Sequence, residues 1–275
     1  VLAAGEARRL RRFAAGWPQH RLNPPENTRI ETRCMAAIAP TKTRDRILET
    51  SLELFNERGE RNVTTNHIAQ ALGISPGNLY YHFRNKGEII FELFLRYESE
   101  MAQLLDVPRD RPMTWQDKLG YFEAIFRSLW QYRFLHRDLE QLFAETPALR
   151  VRYSAFAAMS MQQAQAIYRG MIDAGLVEAN EEEMSALVLN LWVLATSWTT
   201  FLHTTAAHTG QADLLGEQML RYGIYQIICL EEPYVRGEAL THLPEIKARY
   251  RAPDAPGPLE RIAAAVLGAA SRASD

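Results

Sequence analysis

VTTNHIAQALGISPGNLYYHFRNKGEII, residues 63–90, holds two short helices, the sharp turn between them and the start of a third. Thr65 is placed to cap a helix beginning at Asn66, its hydroxyl accepting from an amide that the first turn leaves unbonded. Ile68, Ala69 and Leu72 form the inward face, and the small Ala69 lets a second helix approach closely. Gly73 stands where the chain must reverse with positive φ, and Ile74 fills the inside of that turn. Ser75 caps the second helix, whose first position is Pro76, where a missing N–H costs nothing.

Helix, three-residue turn, helix is the arrangement that sets a second helix into a DNA major groove. Leu79 and Phe83, at i and i+4, anchor that helix and leave Gly77, Asn78, Tyr81 and His82 outward, with Tyr80 between the faces. Gly77 lets the backbone come close to base edges, and Asn78 and Tyr81 offer hydrogen bonds to them. Ser75, Tyr80 and His82 stand where phosphate oxygens would pass. Asn85 caps the next helix, Glu88 completes a capping box, and Lys86 with the exposed amides there makes a phosphate site.

Upstream, Ile47, Leu48, Ser51, Leu52, Leu54 and Phe55 share one helical face, closed by Arg58-Gly59. Downstream, a long helix from Lys86 to Leu105 carries the stripe Ile89, Ile90, Leu93, Phe94, Tyr97, Met101 and Leu104. From Lys42 to Lys86 seven Lys or Arg face five Asp or Glu, so the local balance is positive although the whole chain is −2.

Ile68-Ala69, Gly73-Ile74-Ser75, Gly77 through Phe83 and Lys86 resemble the signature of the TetR family of bacterial regulators, and Ile47, Leu54-Phe55 and Gly59 fit it too. The strong match covers residues 43–92. The resemblance implies an all-helical homodimer that binds a double-stranded DNA operator. It implies base contacts by Gly77 and Tyr81, with Pro76 against a thymine methyl, and phosphate contacts by Thr65, Tyr80, His82 and Lys86.

The chain has 275 residues, 47% of them hydrophobic, enough for one large core or two modest ones. Two cysteines, Cys34 and Cys229, exclude a disulfide framework and fit a reducing cytoplasm. The apolar run Met184–Phe201 is broken by Asn190, Thr196, Ser197 and Thr199, and reads as a buried helix instead of a membrane span. Residues 1–40 hold seven arginines and three glutamates without sustained period. They read as a basic disordered leader ahead of a natural start at Met35, or as an arm along the DNA backbone. Residues 41–88 then form the helix-turn-helix domain, 89–235 a larger helical domain for ligand binding and dimerisation, and 236–275 a flexible tail. The fold expected is all-α.

Aromatics on three candidate helices of the second domain furnish an apolar pocket or, by the same spacing, an ordinary core. They are Phe122, Phe126 and Trp130; then Tyr153, Phe156 and Tyr168; then Trp192 and Trp198. The occupant expected is a small apolar or aromatic effector. The last two helices, about 181–206 and 212–230, are the expected dimer interface. Leu187, Leu191, Leu194, Trp198 and Leu202 form one stripe, and Leu215, Met219, Tyr222, Gln226 and Cys229 another. His136 with Glu140, and His203 with His208, have no third ligand in sequence, so no metal and no cofactor are expected. No nucleophile elbow, Walker loop or dinucleotide fingerprint is present, which argues against an enzyme. The sequence therefore points to a repressor released by a small molecule, with an activator or a partner-controlled regulator as the alternatives in the same class, and a helical enzyme or binding module with an incidental helix-turn-helix as the alternative from another.

Overall fold

The computed structural model describes residues 43–251 except 106, 109 and 207–216. The leader, residues 41–42, Leu215 and the tail beyond 251 lie outside the described residues. Eleven α-helices occur among the described residues: α1 Thr43–Arg58, α2 Thr65–Leu72, α3 Pro76–His82, α4 Lys86–Leu104, α5 Trp115–Gln131 and α6 Arg133–Arg137. They continue as α7 Leu139–Glu145, α8 Pro147–Asp173, α9 Glu181–Ala206, α10 Glu217–Glu231 and α11 Gly237–Tyr250. Short 3-10 turns at Glu60–Asn62 and Glu232–Tyr234 join their neighbours, and one isolated bridge links Val177 to Val235.

α1 buries Ile47, Leu48, Leu54 and Phe55 on the face that their spacing selects, and Ser51 is accommodated there because its hydroxyl donates to the Ile47 carbonyl at 2.6 Å. Side chains of this size contribute about 1.5–3 kcal/mol each when fully buried. α4 runs from this head into the second domain, with Ile89, Ile90 and Leu93 buried at one end and Tyr97 and Met101 towards the other. There α5 and α8 pack against it, α9 packs against both of those, and α10 packs against α5 and α9.

Tyr132 interrupts what reads in sequence as one helix from Thr114 to His136. The cause lies on α1: the Asn56 amide donates to the Gln131 carbonyl at 2.8 Å, and its oxygen accepts from the Phe134 N–H at 3.1 Å. One side chain thus takes the two backbone groups that the break leaves unbonded.

The chain from 236 onward departs from the expected tail. α11 buries Ala239, Leu243, Ile246 and Tyr250, its Tyr250 hydroxyl and Arg249 both bond Glu123, and the His242 ring stacks on Trp115 at 4.5 Å. Its apolar period is short and carries Pro244, which hid it in the sequence.

α9 is long and apolar enough to cross a membrane by length and composition, but one face is packed against α5, α6, α8 and α10. On that packed face lie Leu187, Leu191, Trp198 and Leu202, all buried within the subunit. Gly223 of α10 explains the depth of Trp198: a Cβ there would stand 2.7 Å from the indole nitrogen and 2.5 Å from the Phe126 ring. Tyr222 stacks against the same indole at 6.5 Å. The stripe expected at the dimer interface is therefore core, and the opposite face is the exposed one. There Leu189 and Val193 remain 54% and 55% exposed, with Ala186 exposed beside them. Leu194 is half-buried, and the Met219 side chain lies outside what is described.

Candidate nucleic-acid interface and adjoining cavity

α2 begins one residue earlier than its sequence suggests. Thr64 is the cap: its hydroxyl accepts from the His67 N–H at 3.3 Å, and His67 Nδ1 accepts from the Thr64 N–H at 3.3 Å. A histidine at the third helical position closes this box, so Thr65 is released for another partner. Its hydroxyl lies 3.0 Å from that of Tyr80, which ties the start of α2 to α3.

Gly73 turns the chain with φ 67° and ψ 31°, and its N–H bonds back to α2. Ser75 then caps α3, its Oγ accepting from the Asn78 N–H at 3.2 Å. Leu79 is the one α3 residue that is buried, and Phe83 follows it into the core beneath the Arg44 guanidinium. Pro76, Gly77, Asn78, Tyr80 and Tyr81 all face solvent, Tyr81 at 83%, and His82 is half-buried edge-on to Tyr81. The exposed Arg84, immediately beyond, adds a cation that sequence reading counted only in the local charge.

Lys86 is corrected. Its ammonium forms an ion pair with the carboxylate of Glu60 and donates to the Glu60 carbonyl at 3.1 Å, while Glu60 is completely buried. A phosphate would compete with that buried carboxylate for the ammonium, whose side chain keeps 26% exposure. Asn85 does cap α4, accepting from the Glu88 N–H at 2.9 Å. Glu88 reaches the Arg84 N–H at 2.8 Å instead of that of Asn85, so the box is displaced by one residue.

In the second domain α4, α5, α8, α9 and α10 enclose an apolar cavity of about 100 Å³. Phe122, Phe126 and Trp192 line it, as expected, and so does Tyr168. Trp130, Tyr153 and Phe156 do not. Two helical repeats of four residues rotate Trp130 by about 80° from Phe122, and its ring carries the Arg133 guanidinium 4.3 Å away. Tyr153 and Phe156 lie earlier on α8, in an aromatic cluster with Phe94. Ile167 and Met171, further along α8, supply the cavity wall.

Tyr97 links cavity to head. Its ring lines the cavity, and its hydroxyl lies 3.1 Å from His136 Nε2. Burial lowers the His136 pKa to about 4, so the ring is neutral near pH 7. The next residue, Arg137, donates to the carbonyls of Phe55 at 2.9 Å and Asn56 at 3.4 Å, at the end of α1. Asp138 holds the Arg137 guanidinium at 2.9 Å and accepts from the Glu60 N–H at 3.4 Å. From α9, the Thr200 hydroxyl donates to the His136 carbonyl at 3.4 Å. Sequence reading placed Tyr97 in the core stripe, and its second role has no local signal.

Two family models match the chain. One, for bacterial regulatory proteins of the tetR family, spans residues 47–93; the other, described as a bacterial transcriptional repressor, spans residues 96–243. An HTH-type transcriptional regulator of Staphylococcus aureus is 32% identical over 120 residues, 42% of this chain and 61% of that protein. The class C tetracycline repressor protein of Escherichia coli is 27% identical over 132 residues, 48% of this chain and 54% of the repressor. The matched stretches thus span less than two thirds of either relative. A TetR-family transcriptional regulator from Marinobacter aquaeolei VT8 is 46% identical, with a TM-score of 0.70, over 77% of this chain and all of that one. The helix-turn-helix geometry, the helical second domain and a repressor match covering more than half of the chain agree: the protein belongs to the TetR family of bacterial transcriptional regulators.

Proposed function

We propose that the protein is a cytoplasmic homodimeric repressor that leaves a near-palindromic operator when a small, largely apolar molecule enters the cavity. The head, up to residue 88, reads DNA, and the helices after it sense and dimerise. Pro76, Gly77, Asn78 and Tyr81 face base edges, while Thr65, Ser75, Tyr80 and His82 face phosphates. The exposed face of α9, with Leu189 and Val193, meets its copy together with α10 in a four-helix bundle about a two-fold axis.

The double role of Tyr97 is the observation that carries ligand control. A molecule that displaces its ring acts on His136, and through Arg137 on the end of α1. Operator affinity then falls by as much as the molecule prefers the displaced arrangement.

Protection mapping on DNA from the source genome tests the reading. The purified protein is expected to protect near-palindromic sites. Tyr81→Phe is expected to weaken binding to such a site by roughly fivefold, the worth of one hydrogen bond, and to leave random duplex unaffected. Equal losses on both duplexes would remove Tyr81 from base reading, and the absence of any protected site would sink the proposal.

A further inference from the structure

Among the polar residues that line the cavity, which include Ser160 and Thr196, Tyr168 and Lys118 lie close to one another. Tyr168 lines it and is buried, and its hydroxyl has no hydrogen-bond partner among the described residues. Lys118 of α5 also lines the cavity, with its ammonium 5.5 Å from the Tyr168 ring and 5.9 Å from the Phe122 ring. That ammonium is 2.8 Å from Glu231 Oε2 on α10, and Glu231 is itself buried. The second Glu231 oxygen has no hydrogen-bond partner among the described residues, so the carboxylate depends on Lys118. Burial pushes its pKa up, against the pull of Lys118. The Thr196 hydroxyl on the α9 wall is already committed to the Trp192 carbonyl at 2.7 Å.

These groups select by charge. A cationic ligand would meet Lys118. A carboxylate would draw Lys118 away from Glu231 and leave a buried anion uncompensated. An uncharged ligand disturbs neither member of the pair. The groups also select by hydrogen-bond sense: an ammonium only donates, and a tyrosine hydroxyl without a partner among the described residues has its proton to offer. An orphan hydroxyl in a largely apolar wall is costly, and an acceptor on the ligand removes that cost.

We propose that the cavity takes an uncharged ligand with an apolar body and a single hydrogen-bond acceptor, such as a ketone, ester or ether oxygen, received by the hydroxyl of Tyr168, whose ring stands beside the Lys118–Glu231 pair. This rests on the reading of the cavity as the effector site and adds the chemical class of the effector.

Four isosteric probes test it by calorimetric titration of the full chain: benzylacetone, hydrocinnamate, isopentylbenzene, and the amine obtained by replacing the ketone of benzylacetone with ammonium. Benzylacetone is expected to bind tightest, by roughly fivefold or more over isopentylbenzene. Tyr168→Phe should reduce that preference to within about twofold while leaving isopentylbenzene unchanged, which also reports that the cavity is intact. Tightest binding by hydrocinnamate or the amine overturns the proposal. So does equal binding of ketone and hydrocarbon, or a preference that survives in Tyr168→Phe; in those cases the cavity remains the effector site but its class is wrong. Binding of none of the four by protein that still holds its operator overturns the cavity reading as well. Should Tyr168→Phe fail to fold, the order of the four on the unaltered protein decides.

Discussion

A methyl group at Gly77 would meet nothing of the protein nearer than Ser75 Oγ, at 3.9 Å, and φ there is not positive. Neither packing nor backbone conformation asks for glycine at this position, in keeping with the base contact proposed for it. Gly77→Ala should therefore leave stability unchanged or raise it by up to about 1 kcal/mol in urea unfolding. Operator affinity, followed by fluorescence anisotropy, should fall by about tenfold, because a Cβ holds the backbone away from the bases. A variant that binds as well as its parent would take Gly77 off the contact surface. His136 makes a second prediction at this scale. Its folded pKa of about 4 lies below the ordinary 6.5, so the unfolded chain takes up a proton first as pH falls. The stability it confers is complete above the unfolded value and is lost on the way down to the folded one, amounting to about 2 kcal/mol between about pH 7 and pH 5. His136→Gln, which keeps a hydrogen-bonding partner for the Tyr97 hydroxyl, should flatten that part of the pH–stability curve.

The helices show where sequence periodicity is a sufficient guide. α3 and its turn were legible because each step has a local cause: Gly73 for the positive φ, Ser75 for the cap, Leu79 and Phe83 for the anchor. α9 was legible as a helix but not by face, since apolar residues surround it and only the neighbours decide which stripe is inside. The break at Tyr132 and the commitment of Lys86 could not be read, because their causes, Asn56 and Glu60, lie far away in the chain. In the pocket, half of the expected aromatics line the cavity, and the Lys118–Glu231 pair went unnoticed because its members meet only when α5 and α10 do. Close approach of those two helices also gives a prediction. Gly223→Ala inserts a Cβ where Phe126 and Trp198 already stand, and overpacking of this kind should lower unfolding stability by about 1–3 kcal/mol. A neutral result would show that the two rings can withdraw together.

On the scale of the whole molecule, the dimer proposed above meets through the exposed apolar face of α9. Val193→Glu places a charge at the centre of that face without touching the buried stripe, so helicity by circular dichroism should persist while light scattering reports a monomer. Operator affinity should then fall by about a hundredfold, since two half-sites no longer act through one linked pair of heads. Persistence of the dimer would move the interface elsewhere. The ion pair of Lys86 with the interred Glu60 has a bearing on how such a dimer lets go of DNA. It bolts the first turn of α4 to the 3-10 turn behind α2, while the Thr65–Tyr80 contact fastens α2 to α3. In the proposed repressor each reading head, held by these contacts, then tilts as a single block instead of melting. Induction then alters the spacing of two intact blocks, and a duplex carrying only half of the palindrome should be held equally well whether the inducer is there or not.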